Sequence, residues 1–333
     1  MPGTDRHQPV GDGGRGGGVN VVEEAVLLDC AGEVLPAIIS WPACVHAESG
    51  WQRSGALPAA LAPAAKIDAA AAGGRRAACG VLIVVGGPQY RVGSHRQFLL
   101  LARRLAAEGY PAMRFDYRGM GDGSGAARPF DQVSDDIGAA MDAFQRHCPS
   151  VERVVLWGLC DAASASLLYL EASGDARVAG LVVLNPWVRS EASLAQTQIK
   201  HYYGQRLLER AFWAKLFSGR LAIIQSLRAL LRAAISARRG HSAGAGSRSF
   251  QERMAAGWRH FPGSLLLVLS GQDYTAKEFL EFVRADPAWA GLTEAANVQR
   301  VDLVDADHTL SSKIWREQAE DTTLAWLDKL TTT

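Results

Sequence analysis

Blocks of contiguous apolar residues alternate along the chain with stretches in which apolar positions recur every three or four residues. The blocks at 80–85, 111–115, 153–157, 178–184, 265–270 and 298–304 predict strands, the first of them continuous enough to be buried on both faces. A helix is predicted from Ser94 as N-cap, with Phe98, Leu101, Ala102 and Leu105 on one face and Gly109 as its stop. Others are predicted near 129–148, after Cys160, and from about 311 to 330. Ahead of these, 21–28 and 34–41 are strand-like runs separated by Asp29-Cys30-Ala31-Gly32-Glu33, a hairpin signal. Repeated strand–helix units imply a mostly parallel sheet with helices on both faces.

The alternation fails in three places. Residues 1–20 are Gly-rich and polar and predict a disordered tail, and residues 43–78 turn to Ala, Gly and Pro, as in an exposed flexible connection. Residues 190–258 are helical only, which predicts a helical lid inserted into a core made of 21–189 and 259–333. From Lys200 to Arg248 this segment carries ten Lys or Arg residues against a single acid, Glu209. Leu221, Ile224, Leu227, Leu231 and Ile235 recur there at helical spacing. An ordinary lid helix with solvated arginines accounts for this, and so does contact with an anionic lipid or the inner membrane surface.

Composition narrows the classes. The 333 residues carry a formal net charge of +1, which points away from a nucleic-acid binder. No apolar stretch is long enough for a membrane span or a secretory leader. Five cysteines without close pairs indicate neither a disulfide framework nor a zinc site, so no metal or cofactor is expected, and free thiols fit a cytoplasmic protein.

The most telling stretch is Gly158-Leu159-Cys160-Asp161-Ala162, between a β-branched run and an Ala/Leu-rich helical run. Strand, sharp turn and helix are the setting in which a nucleophile is held exposed, with small flanking residues letting the two elements pass close by. The central residue here is a thiol. A nucleophilic thiol needs a base and a group to orient that base. Asp273 follows the strand at 265–270 and His308 follows the strand at 298–304, both at carboxyl ends, where parallel sheets place ligands. Cys160 would attack a carbonyl as thiolate, His308 would shuttle the proton, and Asp273 would hold the imidazole's tautomer. The oxyanion would be held by the Asp161 N–H and a donor after Val85; Pro88 has no N–H, so Gln89, or else Gly87, must serve. Alternatives stay open: a buried structural thiol at Cys160, Ser164 or Ser166 as nucleophile, and Asp302, Asp305 or Asp307 as the acid. Asp116, Arg118 and Asp122 read as loop architecture, and His95 as a capping or solvated residue.

Four segments together resemble the exosortase A system-associated hydrolase 1 family, a branch of the α/β-hydrolase superfamily. They are the run Gly86-Gly87-Pro88-Gln89-Tyr90-Arg91-Val92-Gly93-Ser94-His95-Arg96, the loop Arg114-Phe115-Asp116-Tyr117-Arg118-Gly119-Met120-Gly121-Asp122, the elbow from Trp157 to Ser164, and Phe212-Trp213-Ala214-Lys215-Leu216. The resemblance spans roughly residues 20 to 330. It implies an α/β-hydrolase fold with an inserted helical lid, in a bacterial cytoplasmic hydrolase associated with exopolysaccharide production and protein sorting. Tyr90 and Trp213, which stand in two of these segments, are expected to contact a small acyl-bearing substrate. Ester or thioester cleavage is the expected activity. Acyl transfer to a sugar or lipid hydroxyl, or a non-catalytic role in a membrane-associated assembly, are the alternatives.

Overall fold

The computed structural model describes residues 21–42, 74–87, 89–189 and 248–332. The expected tail, most of the 43–78 connection, the basic segment as far as 247, and Pro88 and Trp213 lie outside the described residues.

Eight strands form one sheet: β1 Val21–Cys30, β2 Glu33–Pro42, β3 Cys79–Val84, β4 Ala112–Phe115, β5 Arg153–Leu159, β6 Val178–Leu184, β7 Ser264–Ser270 and β8 Val298–Leu303. Their spatial order is β1-β2-β4-β3-β5-β6-β7-β8. The hairpin β1–β2 is antiparallel and β2 runs antiparallel to β4; every later pairing is parallel. The apolar blocks are central strands because both faces are covered: every residue of β3 is buried.

Among the described residues six α-helices supply that cover: α1 Gln97–Ala107, α2 Ser134–His147, α3 Asp161–Ser173, α4 Phe250–His260, α5 Tyr274–Ala285 and α6 Lys313–Thr332. On one face Ile137, Met141 and Phe144 of α2, Leu167 of α3, Met254 and Trp258 of α4 and Phe279 of α5 join one core. On the other, Phe98, Leu101 and Leu105 of α1 meet Leu324, Trp326 and Leu327 of α6. Fully burying each such side chain is worth about 1.5–3 kcal/mol, which outweighs the weak helix preference of any one segment. The stretch expected at 190–258 ends on α4, which packs against α3 and opens with a capping box from Ser249 and Glu252.

One boundary differs from expectation. Ser94 does not cap α1; it opens a short 3-10 turn, Ser94–Arg96, and the helix starts at Gln97. His95 and Arg96 adopt φ of 52° and 63°, so the chain turns away before Ser94 can reach the helix's first free N–H groups. Gly109, with φ 96°, follows the helix end as expected.

Candidate active site

The elbow stands between β5 and α3. Cys160 has φ 62° and ψ −124°, a conformation that an L-residue adopts only when its surroundings impose it. They do so from three directions. The Cys160 N–H donates to Leu184 O of β6 at 2.8 Å, and its carbonyl accepts from Ala163 N–H at 3.1 Å and Trp187 N–H at 3.3 Å. Gly158 makes the sharp turn sterically allowed, since a Cβ there would lie 2.7 Å from the Ala162 backbone. Cys160 is half-buried, whereas Cys30, Cys79 and Cys148 are buried. Burial pushes the Cys79 thiol up to about 11 and raises those of Cys30 and Cys148.

The loops after β7 and β8 deliver the other two groups. Asp273 is buried and divides its oxygens: Oδ1 accepts from Thr275 N–H at 2.9 Å, capping α5, and Oδ2 meets His308 Nδ1 at 2.7 Å. The loops are joined by Gln272 N–H to Ala306 O at 3.0 Å and Gly271 N–H to Leu303 O at 2.9 Å. The Cys160 side chain stands beside the same imidazole; with Nδ1 on Asp273, Nε2 is the ring nitrogen left for the sulfur. The Asp273 hydrogen bond first and the Cys160 contact second raise the imidazole to about 10, overcoming burial.

The competing candidates are occupied elsewhere. Ser164 Oγ donates to Trp187 O at 2.7 Å and Ser166 Oγ to Ala162 O at 2.8 Å, both fully buried, so neither hydroxyl faces the site. Asp302 pairs with Arg300 at 2.9 Å, Asp305 is exposed, and Asp307 accepts from Thr309 and Ser311 N–H within its own loop. Asp116 accepts from the N–H groups of Arg91 at 2.6 Å and Asp122 at 3.0 Å, and Arg118 pairs with buried Asp136 at 2.8 Å; these groups build the loop. His95 is exposed. Of the basic segment only Arg248 is described, and it pairs with Glu171 at 2.5 Å.

One of the expected oxyanion donors is engaged within the protein. Gly87 N–H donates to Asp161 Oδ2 at 2.7 Å, so the carboxylate of Asp161 engages a group expected to face substrate. The cause is proximity across the sheet: a Cβ at Gly86 would overlap this carboxylate, so only glycine lets α3 approach so closely. Gln89 Oε1 accepts from Ser94 N–H at 3.3 Å, which ties its side-chain carbonyl to the loop. Tyr90 is 48% exposed. Gly87, Gln89, Tyr117, Met120, Phe130 and Asp161 are among the residues lining a mainly apolar cavity of about 540 Å³.

One contributor was not foreseen. Asn185, fully buried with φ 48°, donates from Nδ2 to Ser270 Oγ at 3.0 Å and accepts Ser270 N–H on Oδ1 at 2.8 Å. It ties the end of β6, which holds Cys160, to the end of β7, which carries Asp273. Its signal in the sequence is an amide directly after an apolar strand.

The family described as serine aminopeptidase, S33, a hydrolase family, matches residues 78–245. The chain belongs to that family. Its elbow nevertheless carries a thiol. A search of curated proteins finds no match. Among solved structures, an esterase from Pyrococcus furiosus is similar with a TM-score of 0.55 and 14% identity, over 93% of this chain and 91% of that one. Est1E from Butyrivibrio proteoclasticus, solved with ferulic acid bound, gives a TM-score of 0.55 at 12% identity, over 93% of this chain and 100% of that one. A thermophilic esterase from Thermogutta terrifontis gives 0.51 at 16%, over 92% and 99%. These likenesses establish the α/β-hydrolase fold, and the family makes the chain a hydrolase of that superfamily. Among the described residues no helix is long and apolar enough to cross a membrane.

Proposed function

We propose that this α/β-hydrolase cleaves carboxylic esters or thioesters through Cys160, with His308 as proton carrier and Asp273 as its orienting acid. The observation that carries the proposal is His308 hydrogen-bonded to Asp273 at 2.7 Å beside the Cys160 thiol, which the elbow presents half-exposed. In the first step the thiol proton passes to His308, the sulfur bonds to the carbonyl carbon and the π pair moves to oxygen. Collapse expels the alkoxide, which takes the proton from the His308 imidazolium. Neutral His308 then removes a proton from water as the hydroxide adds to the thioester; collapse breaks the C–S bond, the acid leaves, and the sulfur recovers the proton from His308. The 540 Å³ cavity beside Asp161, lined by Met120, Phe130 and Val133, suits a small apolar acyl group. That two structural neighbours are described as esterases favours an ester over other bonds. The link to exopolysaccharide systems rests on the four motif segments alone.

The test is alkylation with iodoacetamide followed by peptide mapping, alongside a panel of p-nitrophenyl esters. Selective modification of Cys160, lost in His308→Ala, with parallel loss of ester turnover, is the expected result. Turnover that survives complete alkylation of Cys160 would refute the proposal.

A further inference from the structure

Among the described residues β1 and β8 are the edges of the sheet, and they differ in charge. An unpaired edge is a template for another strand, and proteins guard it with repelling charges, proline or a bulge. β1 carries Glu23, Glu24 and Asp29 and no basic residue. β8 lacks such guards: it holds no proline, its register with β7 is unbroken, and its charged residues, Arg300 and Asp302, are opposite in sign.

The hydrogen bonds to β7 decide which groups β8 offers. Leu265 N–H donates to Asn297 O at 2.9 Å and Gly271 N–H to Leu303 O at 2.9 Å, so the odd-numbered residues turn their backbone groups to β7. The N–H and C=O groups of Arg300 and Asp302 therefore point to the open edge. Side chains alternate as well. Val301 and Leu303 join the core covered by α1 and α6, whereas Arg300 and Asp302 share the opposite face, both exposed, and pair with each other at 2.9 Å.

We propose that β8 pairs with β8 of a second copy of this chain, antiparallel about a two-fold axis at Val301, to make a dimer with one continuous sheet. An axis between two residues sets an outward group against one already bonded to β7, so the axis must pass through a residue. At Arg300 it sets arginine against arginine, and at Asp302 carboxylate against carboxylate; like charges directly opposite are destabilising. At Val301 it sets Arg300 of each copy against Asp302 of the other, and each such pair exchanges both N–H···O bonds. Charges then alternate in sign along and across the two strands. The same register brings Val304, 68% exposed, opposite half-buried Val298 at each end. One patch thus complements itself, as a closed two-fold interface requires.

The test is the oligomeric state of the full-length protein, measured by sedimentation velocity over a concentration series. Wild type is expected to dimerise. Arg300→Asp, which sets acid against acid, and Asp302→Arg, which sets base against base, should each raise the dissociation constant about 100-fold or more. Arg300→Asp combined with Asp302→Arg in one chain exchanges the charges and should restore the dimer. Equimolar mixing of the two single variants should give a mixed dimer, because an all-acidic β8 then faces an all-basic one. Unchanged circular dichroism spectra verify that the variants fold. A wild type that stays monomeric throughout, a dimer that survives either single substitution, or exchanged charges that fail to restore it would overturn the proposal. Cleavage at Cys160 stands or falls separately, by alkylation and turnover.

Discussion

Two carboxylates stand in the site around Cys160, Asp273 buried and Asp161 half-buried, and they are treated in opposite ways. Asp273, at the end of β7, has both oxygens engaged, one by Thr275 N–H at 2.9 Å and one by His308 at 2.7 Å. Asp161, at the start of α3, has one oxygen engaged by Gly87 N–H and the other buried without a partner among the described residues. A carboxylate whose lone pairs are all spoken for is a fixed part of the frame. One left half-satisfied bears a cost of burial that its surroundings meet only in part. The contrast separates a carboxylate held on both sides from one held on a single side.

The strongest way to break this comparison is to remove the thiol at its centre. Cys160→Ala is expected to lower ester turnover by on the order of 10⁴-fold or more while leaving the fold intact, as shown by an unchanged circular dichroism spectrum. Asp273→Asn should follow, with kcat down about 10³–10⁴-fold, because an amide cannot enforce the same imidazole tautomer. In that variant the alkaline limb should move to lower pH, since the Asp273 hydrogen bond is the largest of the influences raising His308. Asn185→Ala should cost about 1–3 kcal/mol of stability in urea unfolding, by stranding the Ser270 N–H and hydroxyl in the interior. The smallest effect concerns stability against pH. His308 is raised from 6.5 to about 10 in the folded chain, so it binds its proton more tightly than in the unfolded one. The stabilisation this lends is complete below about pH 6.5 and is lost as pH rises through about 10. The Tm advantage of wild type over His308→Gln should therefore shrink between those limits.

How much of this could be read from the chain depended on whether the cause was local. Strands β3 to β8 were legible because unbroken apolar blocks have few other places to go than the middle of a covered sheet. The elbow was legible because Gly158 and Ala162 flank the turn they permit. Helix α5 was not: of its residues only Thr275, Ala276 and Phe279 are buried, too thin a stripe to stand out. Ser94 misled as a cap because His95 and Arg96 take left-handed conformations that no pattern announces. Chain order and strand ends marked Asp273 and His308 as candidates, but choosing Asp273 over Asp307 required knowing that Asp307 is tied up by Thr309 and Ser311. The engagement of Gly87 by Asp161 spans 74 residues and depends on how closely α3 approaches the loop after β3. Nothing near either residue in the sequence encodes that distance.

The account stands or falls on where an acyl group lands. Wild-type enzyme quenched in acid during turnover of p-nitrophenyl butyrate, then digested and mapped by mass spectrometry, should carry butyrate on the peptide containing Cys160, and His308→Ala should carry none. Butyrate found on any other side chain, or acylation of Cys160 undiminished without His308, would contradict it.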